Sequence, residues 1–146
     1  MLSVILPANN EAGFLGACLA ALFASDPVPG GSEVIVIANG CQDDTAGVAR
    51  AACDQAERAG WSLRVIELAE GGKTNALNKG DAAAGGDIRV YLDADALVSP
   101  PLIAQISAAL SVAAPRYASG KPVIPPARSA VTRAYARFWQ KLPFHH

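Results

Sequence analysis

The chain has 146 residues, 51% hydrophobic and 17% charged, with a net charge of −1 at neutral pH. That length and composition suit one globular domain with a sizeable core and exclude a disordered segment. The cysteines, Cys18, Cys41 and Cys53, are odd in number and match no metal-ligand spacing, so they read as reduced thiols of a cytoplasmic protein.

In chain order, residues 2–6 (LSVIL) read as a short buried strand closed by Pro7. This apolar run is too short for a membrane span or a signal core, and no basic segment precedes it. Asn10 and Glu11 then open an apolar helical segment reaching Ser25. DPVPGG is a loop. Residues 33–38 (EVIVIA) form a second buried strand, ended by Asn39-Gly40. Asp43, Asp44 and Thr45 are expected to cap a helix running to about Ala59. Residues 62–68 (SLRVIEL) form a third strand, and Gly71-Gly72 start a helix through KTNALNKGDAAA. Residues 88–92 are a fourth strand leading into LDAD. Residues 100–113 read as a further helix, 117–124 as irregular or a strand, and 129–142 as a last helix. Alternating apolar strands and helices predict an α/β fold, a parallel sheet covered on both faces with right-handed crossovers.

Ligands of such sheets sit beyond the carboxyl ends of the strands. The polar residues gather at those ends: 7–11 (PANNE), 39–45 (NGCQDDT) and Asp93 to Asp95. These three clusters should converge on one crevice.

Asp93 and Asp95 stand one residue apart, and on an extended chain they would point the same way. Two carboxylates with open coordination sites suit a hard, oxygen-seeking ion such as Mg²⁺ or Mn²⁺ shared with phosphates. The plain alternative is a solvated turn with Asp95 capping a helix. In GGKTNALNKG the sequence Gly72-Lys73-Thr74 invites a phosphate-loop reading, but Glu67 occupies the position that needs a glycine. A lysine at a helix start can still meet a diphosphate as a point charge, aided by the helix N-terminus. The alternative is a solvated surface lysine. No G-x-G-x-x-G follows the first strand, which disfavours a dinucleotide-binding enzyme. PANNE and NGCQDDT, each alone, read equally as turns and caps.

Together, SVILPANNE, EVIVIANGCQDDT, GGKTNALNKG and VYLDADAL resemble the family 2 glycosyltransferases, in order and spacing, over residues 2 to about 103. The resemblance implies the GT-A fold of nucleotide-diphospho-sugar transferases, a Rossmann-like three-layer sandwich. It implies a nucleotide-sugar-binding region at 1–103 and the start of an acceptor-side region at 104–146 of the same domain. By resemblance, Pro7, Ala8, Asn9 and Glu11 line the nucleoside pocket. Asn39 falls where many relatives carry an aspartate that bonds the base; its amide offers both donor and acceptor. Lys73 would approach the base or diphosphate. Asp93, Ala94 and Asp95 would be the D-x-D motif, Asp93 holding the ribose or a metal-bound water and Asp95 ligating Mg²⁺ or Mn²⁺. The implied partners are a UDP- or GDP-sugar donor and an acceptor hydroxyl, with no nucleic acid. The implied reaction is metal-dependent, inverting glycosyl transfer.

Inverting transfer needs a base for the acceptor proton, by resemblance a carboxylate well downstream of the D-x-D motif. Here no Asp or Glu follows Asp95. The expectation is therefore an incomplete enzyme, the donor-binding part with its acceptor half missing, or a nucleotide-sugar-binding module that does not turn over. A histidine base at His145 or His146 is unsupported. A nucleotidyltransferase would normally carry a glycine-rich basic loop after the first strand, which PANNE does not provide.

Charge is divided along the chain. Residues 1–95 hold six Lys/Arg and thirteen Asp/Glu, a net −7, while residues 96–146 hold six Lys/Arg and no acid, a net +6. In residues 129–142, Val131, Tyr135, Phe138, Trp139 and Leu142 fall on one helical face and Arg133, Arg137 and Lys141 on another. Such a helix is expected to pack its aromatic face on protein; the alternative is peripheral contact with the inner face of an anionic membrane.

Overall fold

A computed structural model of the chain describes residues 1–114 and 116–121. Four strands, β1 (Leu2–Ala8), β2 (Ser32–Asn39), β3 (Trp61–Leu68) and β4 (Ile88–Tyr91), form a wholly parallel sheet in the order β3-β2-β1-β4. The helices are α1 (Leu15–Phe23), α2 (Thr45–Ala51), α3 (Cys53–Arg58), α4 (Lys73–Ala83) and α5 (Leu102–Leu110). The expected α/β fold with helices on both faces is therefore what the chain forms.

Period-two alternation divides the core into two layers. Leu2, Val4, Leu6 and Ala8 of β1, with Val34 and Val36 of β2, pack with Leu15, Leu19 and Leu22 of α1, Ala49 of α2, Ala56 of α3 and Ile103 of α5. Ile5, Ile35 and Ile37 face the opposite way, onto Ala76 of α4. The central strands are buried on both faces, hence their near-continuous apolar runs. The outer strand β3 alternates instead, with exposed Ser62, Arg64 and Glu67.

The chain steps from β1 to β2 to β3 in one direction, then crosses back to place β4 on the far side of β1. Reversal of direction with right-handed crossovers demands that α4 cover the opposite face from α1–α3, as it does. The reversal makes a topological switch point between β1 and β4, where open α/β sheets bind ligands.

Several boundaries differ from the sequence reading. β1 continues through Pro7 to Ala8, because the missing Pro7 N–H costs nothing there. Leu92 N–H donates to Ile5 O (3.0 Å), so the odd-numbered residues of β1 face β4, and pairing with β4 ends at Ile5–Tyr91. Pro7 thus looks toward a strand that has already departed. Regular helix α1 starts at Leu15 rather than Asn10. Asn10 takes a left-handed conformation (φ 53°), and Glu11 O ends a turn by accepting from Phe14 and Leu15 N–H. The helix expected over 45–59 breaks at Ala52, whose N–H reaches back three residues to Ala49 O (3.1 Å). At α2, Asp44 is the N-cap residue but makes no side-chain cap; Asp43 accepts the Thr45 N–H instead (3.1 Å). Residues 116–121 form neither helix nor strand. Only the last three residues of the segment expected over 117–124 follow them; these, the helix expected at 129–142, and His145 and His146 lie outside the described residues. Among the described residues, no helix is long and apolar enough to cross a membrane. Cys18, Cys41 and Cys53 are all free thiols.

Candidate functional site

The crevice at the switch point is a cavity of about 510 Å³ lined by Pro7, Asn9, Glu11, Asn39, Gly71, Gly72, Lys73, Asp93, Ala94 and Asp95. This size suits a small-molecule ligand. The three polar clusters at the strand ends do meet, joined by the start of α4. Of the residues to which the resemblance gives a role in donor binding, Ala8 alone does not line the cavity, and of residues 39–45 Asn39 alone does. It is buried (2% exposed), and its carbonyl accepts from Asn39 Nδ2 (3.1 Å) and, more loosely, from Cys41 Sγ (3.4 Å). A larger cavity of about 970 Å³ runs along β4 and α5, lined by Tyr91, Ile106, Leu110 and Tyr117 among others, away from this convergence.

Asp93 and Asp95 do not sit on an extended chain, as the sequence reading assumed. β4 ends at Tyr91, and Ala96 N–H donates to Asp93 O (3.0 Å), closing a tight turn across the motif. Ala94, at 3% exposed, points into the core, and the flanking carboxylates point out. The small middle residue is what lets the turn sit down on the sheet. From below, the Cys18 thiol of α1 makes a weak bond to Asp93 O (3.6 Å). Cys18 was not foreseen as part of the site; its only sequence signal is a small apolar position on the inner face of α1. Burial, and then the negative charges of Asp95, Asp93 and Glu11, push its thiol up to about 12.

The loops after β1 and β2 are stitched together. Asn9 Nδ2 donates to Asn39 O (2.6 Å) and Gly40 O (3.2 Å). Asn10 Oδ1 accepts from Gln42 N–H (2.7 Å), Thr45 Oγ1 from Glu11 N–H (3.0 Å), and Asp43 Oδ2 from Ala12 N–H (3.1 Å). The Thr45 hydroxyl in turn donates to Asp43. That hydroxyl, with the Ala12 and Thr45 N–H groups, holds the Asp43 carboxyl below its usual value against the opposing effect of desolvation. Glu11, by contrast, lines the cavity with a carboxylate that bonds no protein group among the described residues.

Asn39 is 3% exposed and its amide is committed. Nδ2 donates to Ala8 O and Ile37 O, both at 3.1 Å, and Oδ1 accepts the Gly72 N–H at 3.0 Å. Both donor hydrogens are spent on the protein, and one acceptor lone pair is left. Asn39 therefore ties the ends of β1 and β2 to the residue that precedes Lys73. Gly40 (φ 56°) helps, since a Cβ there would stand 2.5 Å from Gly71 N; only glycine lets the two loops approach so closely.

α4 begins at Lys73 with no side-chain cap. Ala76 N–H is the first to bond within the helix, to Gly72 O, which leaves the N–H groups of Lys73, Thr74 and Asn75 without intrahelical partners. Lys73 Nζ lies 2.7 Å from Asp93 Oδ1, with both side chains 65% exposed.

The charges that line the cavity are thus Glu11, Asp93 and Asp95 against Lys73. Among the described residues, no group of three or more His, Cys, Asp or Glu side chains is close enough to hold a metal ion. Asp93 and Asp95 could supply two oxygen ligands. That partial set fits a hard divalent cation whose remaining ligands are phosphate oxygens and water, and it would not suit an ion held by protein alone.

The chain matches no curated protein sequence. Solved structures share its fold. The structure of S. aureus TarS 1–349 in complex with UDP matches with a TM-score of 0.66 at 22% identity, over 75% of this chain and 31% of that one. The mannosyltransferase PcManGT from Pyrobaculum calidifontis, in complex with GDP-Man and Mn²⁺, matches with a TM-score of 0.66 at 30% identity, over 77% of this chain and 32% of that one. The chain spans about a third of the length of these relatives. The glycosyl transferase family 2 model matches residues 3–143, further than the motifs alone reach, and the chain belongs to that family.

Proposed function

We propose that this cavity binds a nucleotide-diphosphate sugar together with Mg²⁺ or Mn²⁺, and that the whole protein is a metal-dependent, inverting glycosyltransferase acting on an acceptor hydroxyl. The observation that carries the reading is the meeting of Asp93, Asp95, Glu11 and Lys73 with the uncapped start of α4 in one cavity at the switch point. Three carboxylates and one ammonium give that cavity a formal charge of −2. A diphosphate entering alone would meet net repulsion; one entering with a divalent cation would not. The ligands present in the similar structures, UDP and UDP-GlcNAc with TarS and GDP-Man with Mn²⁺ in PcManGT, support this choice of donor.

Each chain group has a role in the proposal. Asp95 and Asp93 hold the cation, which when bound neutralises charge developing on the departing diphosphate. The free N–H groups at the start of α4 and the Lys73 ammonium receive the phosphate oxygens. Pro7, Asn9 and Glu11 wall the nucleoside end, and Asn39 holds the loop before Lys73 in place.

Calorimetry with UDP and GDP, with and without Mn²⁺, tests the proposal. Binding should require the metal and be lost in Asp95→Ala. Metal-independent binding, or none with either nucleotide, would overturn it. A second reading is that residues 1–146 bind the nucleotide sugar without transferring it. Sugar transfer by the 146-residue chain would refute that second reading.

A further inference from the structure

Lys73 and Asp93 come from different loops, the start of α4 and the turn after β4. Their 2.7 Å contact bridges the cavity that both line. The ammonium occupies an oxygen of one of the two carboxylates available to a cation. A divalent cation arriving alone would compete with Lys73 for Asp93 or bind its other oxygen with the ammonium close by, and either way it meets that positive charge. Among the described residues, Asp93 is the one hydrogen-bond partner of that ammonium. A cation arriving with a diphosphate faces a different exchange: phosphate oxygens offer the ammonium a new partner as Asp93 is given up. Lys73 can make that move, because its side chain is 65% exposed and carries its charge on a flexible four-carbon stem. The backbone at its base stays fixed, since Asn39 Oδ1 holds Gly72 N–H at 3.0 Å.

We propose that the Lys73–Asp93 ion pair is an exchangeable lock: Lys73 holds Asp93 against a free divalent cation and releases it when a diphosphate takes the ammonium, so that cation and nucleotide bind cooperatively. This rests on the proposed donor site and adds an order of occupancy to it. The coupling must be reciprocal, the cation raising nucleotide affinity by the same factor as the nucleotide raises cation affinity.

The test uses Lys73→Met, which keeps most of the stem and removes the charge. Free Mn²⁺ is followed by electron paramagnetic resonance during titration of the 146-residue chain, without nucleotide and then with saturating UDP or GDP. Removing an exposed pair and a nearby like charge should tighten binding of Mn²⁺ alone about three- to tenfold. The same substitution should weaken the nucleotide and shrink the Mn²⁺–nucleotide coupling factor. Circular dichroism should be unchanged, because the side chain is exposed. Binding of Mn²⁺ alone that is equal or weaker in Lys73→Met overturns the lock. Failure of the wild-type chain to bind nucleotide with Mn²⁺ overturns the donor-site reading instead, and is seen in a separate arm of the experiment.

Discussion

Replacing Asn39 by Asp changes one NH₂ to an oxygen and tests what this residue is for. In the native chain, Nδ2 donates to Ala8 O and Ile37 O at 3.1 Å, in a site only 3% exposed. An ionised aspartate would set an anion against both carbonyls. Each loses one donor but stays paired in the β1–β2 ladder, and Ala8 O also keeps the Cys41 thiol, so each lost bond costs about 0.5–1.5 kcal/mol. The Oδ1 bond from Gly72 N–H can survive, so the two lost bonds together cost about 1–3 kcal/mol, a sizeable part of a domain stability of about 5–15 kcal/mol. With a urea slope of about 2 kcal/mol/M, the midpoint should fall by about 0.5–1.5 M. The pH dependence supplies a second signature. Among carbonyl oxygens the new carboxyl is driven above its unfolded value, because only the protonated form can donate. The folded state then binds the proton more tightly. The penalty is complete above the folded pKa and shrinks as pH falls toward the unfolded value near ~3.9. Urea unfolding of wild type, Asn39→Asp and Asn39→Ala at several pH values checks this, with the alanine variant giving a cost that does not titrate. If Asn39→Asp lies within about 0.5 kcal/mol of wild type and the difference is flat with pH, the amide is not a structural tie and the reasoning fails.

Two further substitutions probe how the scaffold is held. At Gly80, on the buried face of α4, a Cβ would stand 2.5 Å from Ile5 Cγ2 and 2.7 Å from Ile37 Cδ1. Overpacking should cost Gly80→Ala about 1–3 kcal/mol, against about 1 kcal/mol of gained helix propensity, so thermal unfolding should show net destabilisation, partly relieved by adding Ile37→Val. A net gain would mean that α4 does not press on the sheet as closely as described. At the other end of the sheet, burial raises the Glu33 carboxyl, but the Ser3 hydroxyl (2.6 Å), the Gly85 N–H (2.7 Å) and the charges of Arg64 and Arg89 outweigh it and hold it below its ordinary 4.5. A lowered folded pKa contributes stability above the unfolded value and loses it as pH falls through the folded one. The stability gap between wild type and Glu33→Gln should therefore be widest near neutrality and close below pH 4.5; a pH-independent gap would contradict the assignment.

Much of the architecture was legible because the strands speak plainly. Val34 to Ile37 and Val4 to Leu6 are unbroken apolar runs, as a sheet buried on both faces requires. The placement of the site followed from topology, since polar residues after β1, β2 and β4 can meet only beyond the carboxyl ends. What sequence could not supply was the use of each polar atom. Asn39 and Asp93 are both polar and both at strand ends, yet one is buried with its donors spent and the other is exposed beside a lysine. Local propensity also misplaced the start of α1. Glu11 and Ala12 donate their N–H groups to Thr45 and Asp43, partners more than thirty residues away that no local window includes.

That division of labour argues for which residues meet a ligand. A carboxylate whose lone pairs are taken by backbone N–H groups, as in Asp43, has little left for a cation, and its pull on Ala12 and Thr45 serves the loop. The same holds for Asn10, which accepts from Gln42, and for Asn39. Glu11 and Asp95 line the cavity without a protein partner among the described residues, and Asp93 is held by one exposed ammonium alone. Exposed ion pairs contribute about 1 kcal/mol or less, so the fold does not need the Lys73–Asp93 contact for its stability. Two further carboxylates, Glu11 and Asp95, line the same cavity, and with Asp93 they add to burial in opposing ionisation of the Cys18 thiol beneath it. The residues after β1 and β2 thus build the walls, while the charges at Glu11, Lys73, Asp93 and Asp95 remain open to a ligand.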